Sequence, residues 1–300
     1  MRNYYYEIAG EGMLVRCPSD KNLSAWLPSF TDFQTLTYQN PCCKVELQIK
    51  KLPEESDNNK TLLSDYTLVW RDNFRIYEVE NGYEVCILAN GSKEGWCMLT
   101  SKDFTESTIY LPEENEYLPI ILNWFLMVAF GQSVIRNDVI LFHASVVMLE
   151  GKGVAFLGKS GTGKSTQSQQ WLSAFPFSEL LNDDNPAIAL EEDGSVWVYG
   201  TPWSGKTPCY KNKRVPLASL VRLEQYPSNE MSKLVGAEAL IGVLPSCTSI
   251  RWNKDIFGKM NKTLTNILEK VPVGYLKCLP NKQAAELCKA EVWKWNNDNN

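Results

Sequence analysis

Gly158-Lys159-Ser160-Gly161-Thr162-Gly163-Lys164-Ser165-Thr166 is the stretch whose reading decides the fold of this chain. It follows an apolar run, Val154-Ala155-Phe156-Leu157, and precedes a helix-compatible segment over residues 167–175. Strand, glycine-rich loop and helix, in that order, are the setting in which G-x-x-x-x-G-K-[ST] means a phosphate-binding loop. Glycines let successive backbone N–H groups turn inward and form a concavity for anionic oxygens. The N-terminus of the following helix adds partial positive charge. On this reading Gly158, Ser160, Gly161, Thr162, Gly163, Lys164, Ser165 and Thr166 surround the phosphates of a nucleotide. Lys164 reaches the terminal phosphates, and the Ser165 hydroxyl binds Mg²⁺. The competing reading is a glycine turn before an ordinary helix, against which the apolar run ahead of the loop argues.

Upstream, residues 139–149 read as a strand, and Glu150-Gly151-Lys152-Gly153 as a tight turn into residues 154–157. The two strands are therefore expected to pair antiparallel, whereas ordinary nucleotide-switch folds feed such a loop from a parallel sheet. His143, the single histidine, lies in the first of them. A lone strand histidine is more often structural; the pairing of its strand with the loop strand is what points it toward the loop.

Downstream, Glu179-Leu180-Leu181-Asn182-Asp183-Asp184 reads as a short strand with two carboxylates at its C-terminal end, where ligands sit in α/β sheets. One carboxylate can hold Mg²⁺ and the other can accept a proton from an attacking hydroxyl. Adjacent like charges push one pKa upward unless a cation neutralises them. A solvated Asp-Asp turn before Pro186 is the alternative, and Leu180-Leu181 argues for a buried approach instead. Residues 187–190 and 196–199 form a hairpin around Glu192-Asp193-Gly194. Gly200-Thr201-Pro202-Trp203-Ser204-Gly205-Lys206 is a second glycine-rich loop, with Lys206 a candidate cation for a transferring phosphoryl group. Arg214, Arg222 and Arg251 compete for that role. Strands are expected over 217–223 and 273–279, and helices over 230–244, 255–270 and 282–295.

Residues 1–112 read as β-rich. Val45, Leu47 and Ile49 alternate with polar neighbours, a half-buried strand, and Asn81-Gly82 between residues 74–79 and 83–88 signals a hairpin. Further strands are expected over 95–100 and 107–111, with turns at 53–60 and at Asn90-Gly91. The aromatic load here (Tyr4, Tyr5, Tyr6, Trp70, Phe74, Tyr77, Tyr83, Trp96) is explained by core and cross-strand packing. Residues 118–135 are apolar nearly all round and read as a buried connecting helix; the apolar stretch 118–130 contains Asn123 and is short for a bilayer. The expected division is a β-rich domain over 1–112, the connecting helix over 113–137, the catalytic domain over 138–295 and a disordered polar tail over 296–300.

The chain's 300 residues, 44% of them hydrophobic with a net charge of −5, describe a globular protein without the basic balance of a nucleic-acid binder. The N-terminus carries no signal-peptide apolar core. Nine cysteines without a C-x-x-C pair, and one histidine, speak against zinc and for reduced thiols in a cytoplasm.

His143-Ala144-Ser145-Val146-Val147, the glycine loop with Lys164-Ser165-Thr166, and Asp183-Asp184 together resemble the catalytic domain of HPr kinase/phosphorylase. They are similar to the wider HPr-kinase-like serine kinases, which share a nucleotide-binding core with ATP-dependent phosphoenolpyruvate carboxykinase. The resemblance spans residues 138–225; the rest looks like a Bacteroidetes-type branch of kinase-like proteins. It implies an α/β fold: a P-loop core of that kind on a mixed sheet, preceded by the β-rich region. It also implies ATP and Mg²⁺ as ligands, Asp183 as base, Asp184 and Ser165 at the metal, and His143 as a site residue. Where the family has an arginine-containing loop, this chain has the segment ending in Lys206. The expected activity is transfer of the γ-phosphoryl group to a hydroxyl on a protein, peptide or small molecule, with neither nucleic acid nor membrane as partner and homo-oligomerisation left open. A nucleotide sensor that docks a partner without transfer is the alternative. An ordinary P-loop ATPase or GTPase predicts a distant downstream Asp strand and a parallel core, which the early Asp pair and the hairpins oppose.

Overall fold

The computed structural model describes residues 1–53, 60–67, 73–88, 95–112, 116–205 and 207–298. They form two compact units, Met1–Val134 and Ile135–Asn300.

The first unit is built on a nine-stranded sheet. Strands β1 (Arg2–Ile8) and β2 (Glu11–Cys17) form a hairpin closed by Ala9 and Gly10, both with positive φ. A short helix α1 (Leu23–Trp26) leads to β3 (Gln34–Thr35), which pairs with β1. Then come β4 (Cys43–Gln48), β5 (Thr61–Thr67), β6 (Asn73–Val79), β7 (Gly82–Leu88), β8 (Gly95–Ser101) and β9 (Glu106–Tyr110). The order across the sheet is β3-β1-β2-β4-β9-β8-β7-β6-β5. Val45 and Leu47 are buried while Lys44, Glu46 and Gln48 are half-exposed, so the alternation holds to Gln48; Ile49, expected as a third inward residue, lies past the strand's end and is half-exposed. The β6–β7 hairpin turns one residue earlier than its Asn-Gly signal suggests: Val79 stands opposite Gly82, leaving Glu80-Asn81 as the connection. Tyr4, Tyr6, Phe74 and Tyr83 are core residues. Trp70, Asn90-Gly91 and most of the 53–60 turn lie outside the described residues.

Helix α2 (Leu118–Ser133) packs on β4, β8 and β9, with Trp124 edge-on to Phe74 at 4.5 Å. The chain stays helical to Asn137, and this 20-residue stretch is long and apolar enough to cross a bilayer, which corrects the expectation that the apolar stretch 118–130 is too short for one. It is 72% buried, which is the environment of a core helix.

In the second unit the expected single strand over 139–149 is two: β10 (Val139–Leu141) and β11 (Ala144–Leu149). The break arises because the chain changes partners. Phe142 N–H donates to Pro186 O and His143 N–H to Ser246 O, outside any ladder. Strand β12 (Lys152–Leu157) pairs antiparallel with β11 as expected, but its other neighbour is parallel. That neighbour is β16 (Arg214–Gln225), reached through α3 (Lys164–Ala174), β13 (Glu179–Asp184), β14 (Ala187–Leu190) and β15 (Val196–Tyr199). The sheet runs β10-β14-β15-β16-β12-β11-β13, and it is mixed.

The expected helix over 230–244 is instead a strand, β17 (Glu230–Leu234), followed by α4 (Gly236–Val243). Antiparallel pairing with β18 (Val273–Cys278) claims Glu230 to Leu234, and Gly236 opens α4 with a φ of +53°. Helix α5 (Lys254–Leu268) falls as expected. Helix α6 (Lys282–Asp298) runs into the expected disordered tail: residues 296–298 are helical, and Asn296 Nδ2 donates to Ala218 O at 3.0 Å. The α3–α6 side of the sheet holds a core of Val147, Phe156, Trp171, Val221, Leu276 and Trp295.

Candidate functional site

Strand register assembles the site. Leu157, the last residue of β12, stands opposite Ala144, which stands opposite Asp184, the last residue of β13. The glycine loop after Leu157, His143 before Ala144, and the two aspartates are therefore level at one end of the sheet. Gly163 caps α3 in a left-handed conformation, φ +101°, which glycine adopts without a Cβ penalty. The helix thus starts at Lys164, three residues earlier than the sequence suggested. Lys164 is buried and its ammonium folds back over the loop, donating to Gly158 O at 3.0 Å and Lys159 O at 3.4 Å. Ser165 and Thr166 are exposed in the first helical turn. Gln225 Nε2 on β16 steadies the loop through Gly161 O at 3.1 Å.

The two aspartates have different surroundings. Asp183 is 5% exposed. Its Oδ1 accepts from Ser145 Oγ at 2.7 Å, and Ser145 Oγ lies 2.6 Å from Ser168 Oγ, a chain of polar groups joining β13, β11 and α3. Its Oδ2 is buried without a hydrogen-bond partner among the described residues. Such an oxygen is costly unless a cation or donor compensates it. Asp184 is half-exposed; its Oδ1 lies 3.4 Å from His143 Nε2, and its Oδ2 accepts from Asn185 Nδ2 at 2.7 Å. Asn182 Oδ1 fixes the turn by accepting from the backbone N–H groups of Asp184 and Asn185.

These groups sense one another. Burial raises the Asp184 pKa above the ordinary carboxylate value, against the pull of His143 and Lys164, while Asp183 adds to the rise. Burial lowers the His143 pKa, the Lys164 charge lowers it further, and Asp184 opposes both. Burial likewise lowers the Lys164 pKa, and the two aspartates act in the other direction. One lysine, two carboxylates and one imidazole thus share a partly desolvated space beside the glycine loop.

The second glycine-rich loop closes on the aspartates. Asp184 bridges to Ser204, and Gly205 N–H donates to Asp183 O at 3.2 Å. A Cβ at Gly205 would lie 2.7 Å from Asp183 O, so the close approach requires glycine. Asn182 Nδ2 holds this loop through Thr201 and Trp203. Lys206 lies outside the described residues. Of its competitors, Arg214 pairs with Glu191 and stacks on Trp197, and Arg222 lies over the Tyr275 ring although its backbone stands level with Leu157.

Sequence reasoning missed Ser145, Ser168, Asn182 and Gln225. Ser168 was within reach, since it follows Lys164 by four residues and so shares its helix face. Ser145 becomes visible only through the register that sets it opposite Asp183.

No family model matches the chain, and no curated protein matches it. Among solved structures it is similar to the HPr(Ser) kinase/phosphatase from Coxiella burnetii, at 10% identity and a TM-score of 0.31, over 53% of this chain and 91% of that one. A superposition that loose carries no argument about activity, which has to come from the geometry of the site.

Proposed function

We propose that the second unit is an ATP- and Mg²⁺-dependent phosphotransferase acting on a hydroxyl acceptor. The observation that carries this reading is the register that sets the glycine loop, Lys164, His143, Asp183 and Asp184 at one sheet end. Backbone N–H groups of residues 158–163 and the first turn of α3 suit the phosphate oxygens. Lys164, resting on its own loop's carbonyls, is placed to exchange them for phosphate oxygens. Ser165 and the orphaned Asp183 Oδ2 would hold Mg²⁺, whose chemistry is to neutralise charge on the transferring group.

The two carboxylates divide the work. Asp183 is sequestered and pinned by Ser145, which suits a cation ligand better than a base. Asp184 is accessible, and burial raises its pKa, so it is the better group to take the acceptor's hydroxyl proton, with His143 orienting it. This exchanges the roles expected from the sequence. Lys206, beside Gly205, is the proposed extra cation. Nine cysteines without a C-x-x-C pair suit a reducing compartment such as the cytoplasm.

The test is ATP consumption over a panel of serine peptides and small hydroxyl compounds. Lys164→Ala should weaken nucleotide binding, and Asp184→Asn should cut turnover by roughly 10²-fold or more while leaving binding near normal. If neither substitution changes binding or turnover, the assignment fails. Binding without transfer is the second reading, favoured by the burial of Asp183. Stoichiometric binding with no turnover on any acceptor selects it.

A further inference from the structure

The first unit carries a separate cluster that plays no part in the proposed chemistry. Strands β7 and β8 set Cys86 directly opposite Cys97, with their sulfurs 2.6 Å apart. Two residues earlier on β7, and so on the same face of the sheet, Glu84 turns its carboxylate to the pair. Its Oε1 accepts from Cys86 Sγ at 3.2 Å and from Lys60 Nζ at 3.0 Å. All three residues are buried, Glu84 to 1% exposure. One carboxylate oxygen and both sulfurs lie within 4.8 Å of one another. Glu84 Oε2 is fully buried and has no hydrogen-bond partner among the described residues.

We propose that Glu84, Cys86 and Cys97 form a binding site for a thiophilic divalent ion of the zinc type. Two thiolates and a carboxylate are a donor set that selects such an ion over Mg²⁺ or Ca²⁺. The charges close as well. A divalent ion with two thiolates and one carboxylate leaves one net negative charge, and the adjacent Lys60 ammonium balances it. Binding at sulfur distances of about 2.3 Å spreads the sulfurs to about 3.7 Å, which side-chain rotation supplies.

The main rival is a cross-strand disulfide, formed when an oxidant such as glutathione disulfide takes two electrons from the thiols and their two protons leave. It explains the sulfurs but not the carboxylate. A disulfide leaves Glu84 Oε2 unpaired, whereas an ion, on binding, sends both thiol protons to water and gives the buried carboxylate a cation to neutralise it. The spacing of ten residues between the cysteines hides the site from motif reading; only the β7–β8 register reveals it.

The experiment uses the full reduced chain, stripped of metal, with Co²⁺ as probe and Zn²⁺ as competitor. The expected result is one Co²⁺ per chain with a sulfur-to-cobalt charge-transfer band, abolished by Zn²⁺ and absent in Cys86→Ser and Cys97→Ser. Glu84→Gln should weaken binding by roughly tenfold or more. In the unsubstituted chain, Zn²⁺ should slow alkylation of Cys86 and Cys97 selectively among the nine cysteines, read by mass spectrometry, so the proposal does not depend on the variants folding. No band, a band that survives in folded Cys86→Ser, no selective protection, or a Cys86–Cys97 disulfide that forms at the same rate with Zn²⁺ present would each overturn it. Nucleotide binding is read separately, so failure here leaves the phosphotransferase reading untouched.

Discussion

His143 is the one histidine in the chain, so its ring proton can be followed by NMR without assignment ambiguity. Its folded pKa lies below the ordinary 6.5 because burial and Lys164 outweigh Asp184. The neutral imidazole is therefore the form present at pH 7. A depressed folded pKa contributes stability that is present above 6.5 and is lost as pH falls through the folded value. Asp184 has the opposite sign: its raised pKa favours the protonated form, so its contribution is complete below 3.8 and is lost as pH rises through the folded value. Ionising Asp184 thus costs the fold stability at a site where a base is useful. We expect Lys164→Met to raise the His143 midpoint and Asp184→Asn to lower it. Unmoved midpoints in both variants would detach the imidazole from the two charges. Ser145→Ala is expected to cost about 1–3 kcal/mol in urea unfolding, because it leaves the buried Asp183 Oδ1 without its donor.

Helix α3 must hold its first turn in place for the loop to work, and its far end supplies the anchor. Trp171 is fully buried, edge-on to Phe156 and Phe175 at 5.7 and 5.1 Å and near Trp293 at 6.0 Å. Trp171→Ala should cost about 3–5 kcal/mol by thermal or denaturant unfolding. It should also weaken nucleotide binding although the residue touches no ligand; a large loss of stability with unchanged affinity would show that the loop holds its shape independently of α3. Elements of this kind were legible in the sequence where local pattern and pairing agree: the alternation over β4, the turn between β11 and β12, the glycines between β12 and α3. They were illegible where pairing overrode pattern. Residues 230–234 were read as the start of a helix, and β18 takes them as a strand. The break at Phe142-His143 follows from bonds to Pro186 and Ser246, more than forty and one hundred residues onward, which no local window contains. The candidate residues around the glycine loop were nameable because they sit at strand and helix ends. The different surroundings of the two aspartates were not, because they depend on the register that sets Ser145 opposite Asp183.

On the scale of the whole molecule, each unit has its own sheet and core, and each carries one of the two proposed sites. Ligands that bind only the folded state stabilise the region that must open to release them, by about 2.7 kcal/mol at a hundred times the dissociation constant. Hydrogen exchange on the intact chain can therefore read the sites independently. ATP with Mg²⁺ should slow exchange over residues 158–168 and along β11 and β13, and leave β7 and β8 unchanged. Zn²⁺ should do the reverse, slowing β7 and β8, whose backbone ladder links Cys86 to Cys97. The Lys164→Ala chain should lose the first response and keep the second, while Glu84→Gln should keep the first and need more Zn²⁺ for the second. If ATP protected β7 and β8 as strongly as the glycine loop, nucleotide would be acting on the first unit as well, and the separation of roles drawn from the two cores would have to be given up.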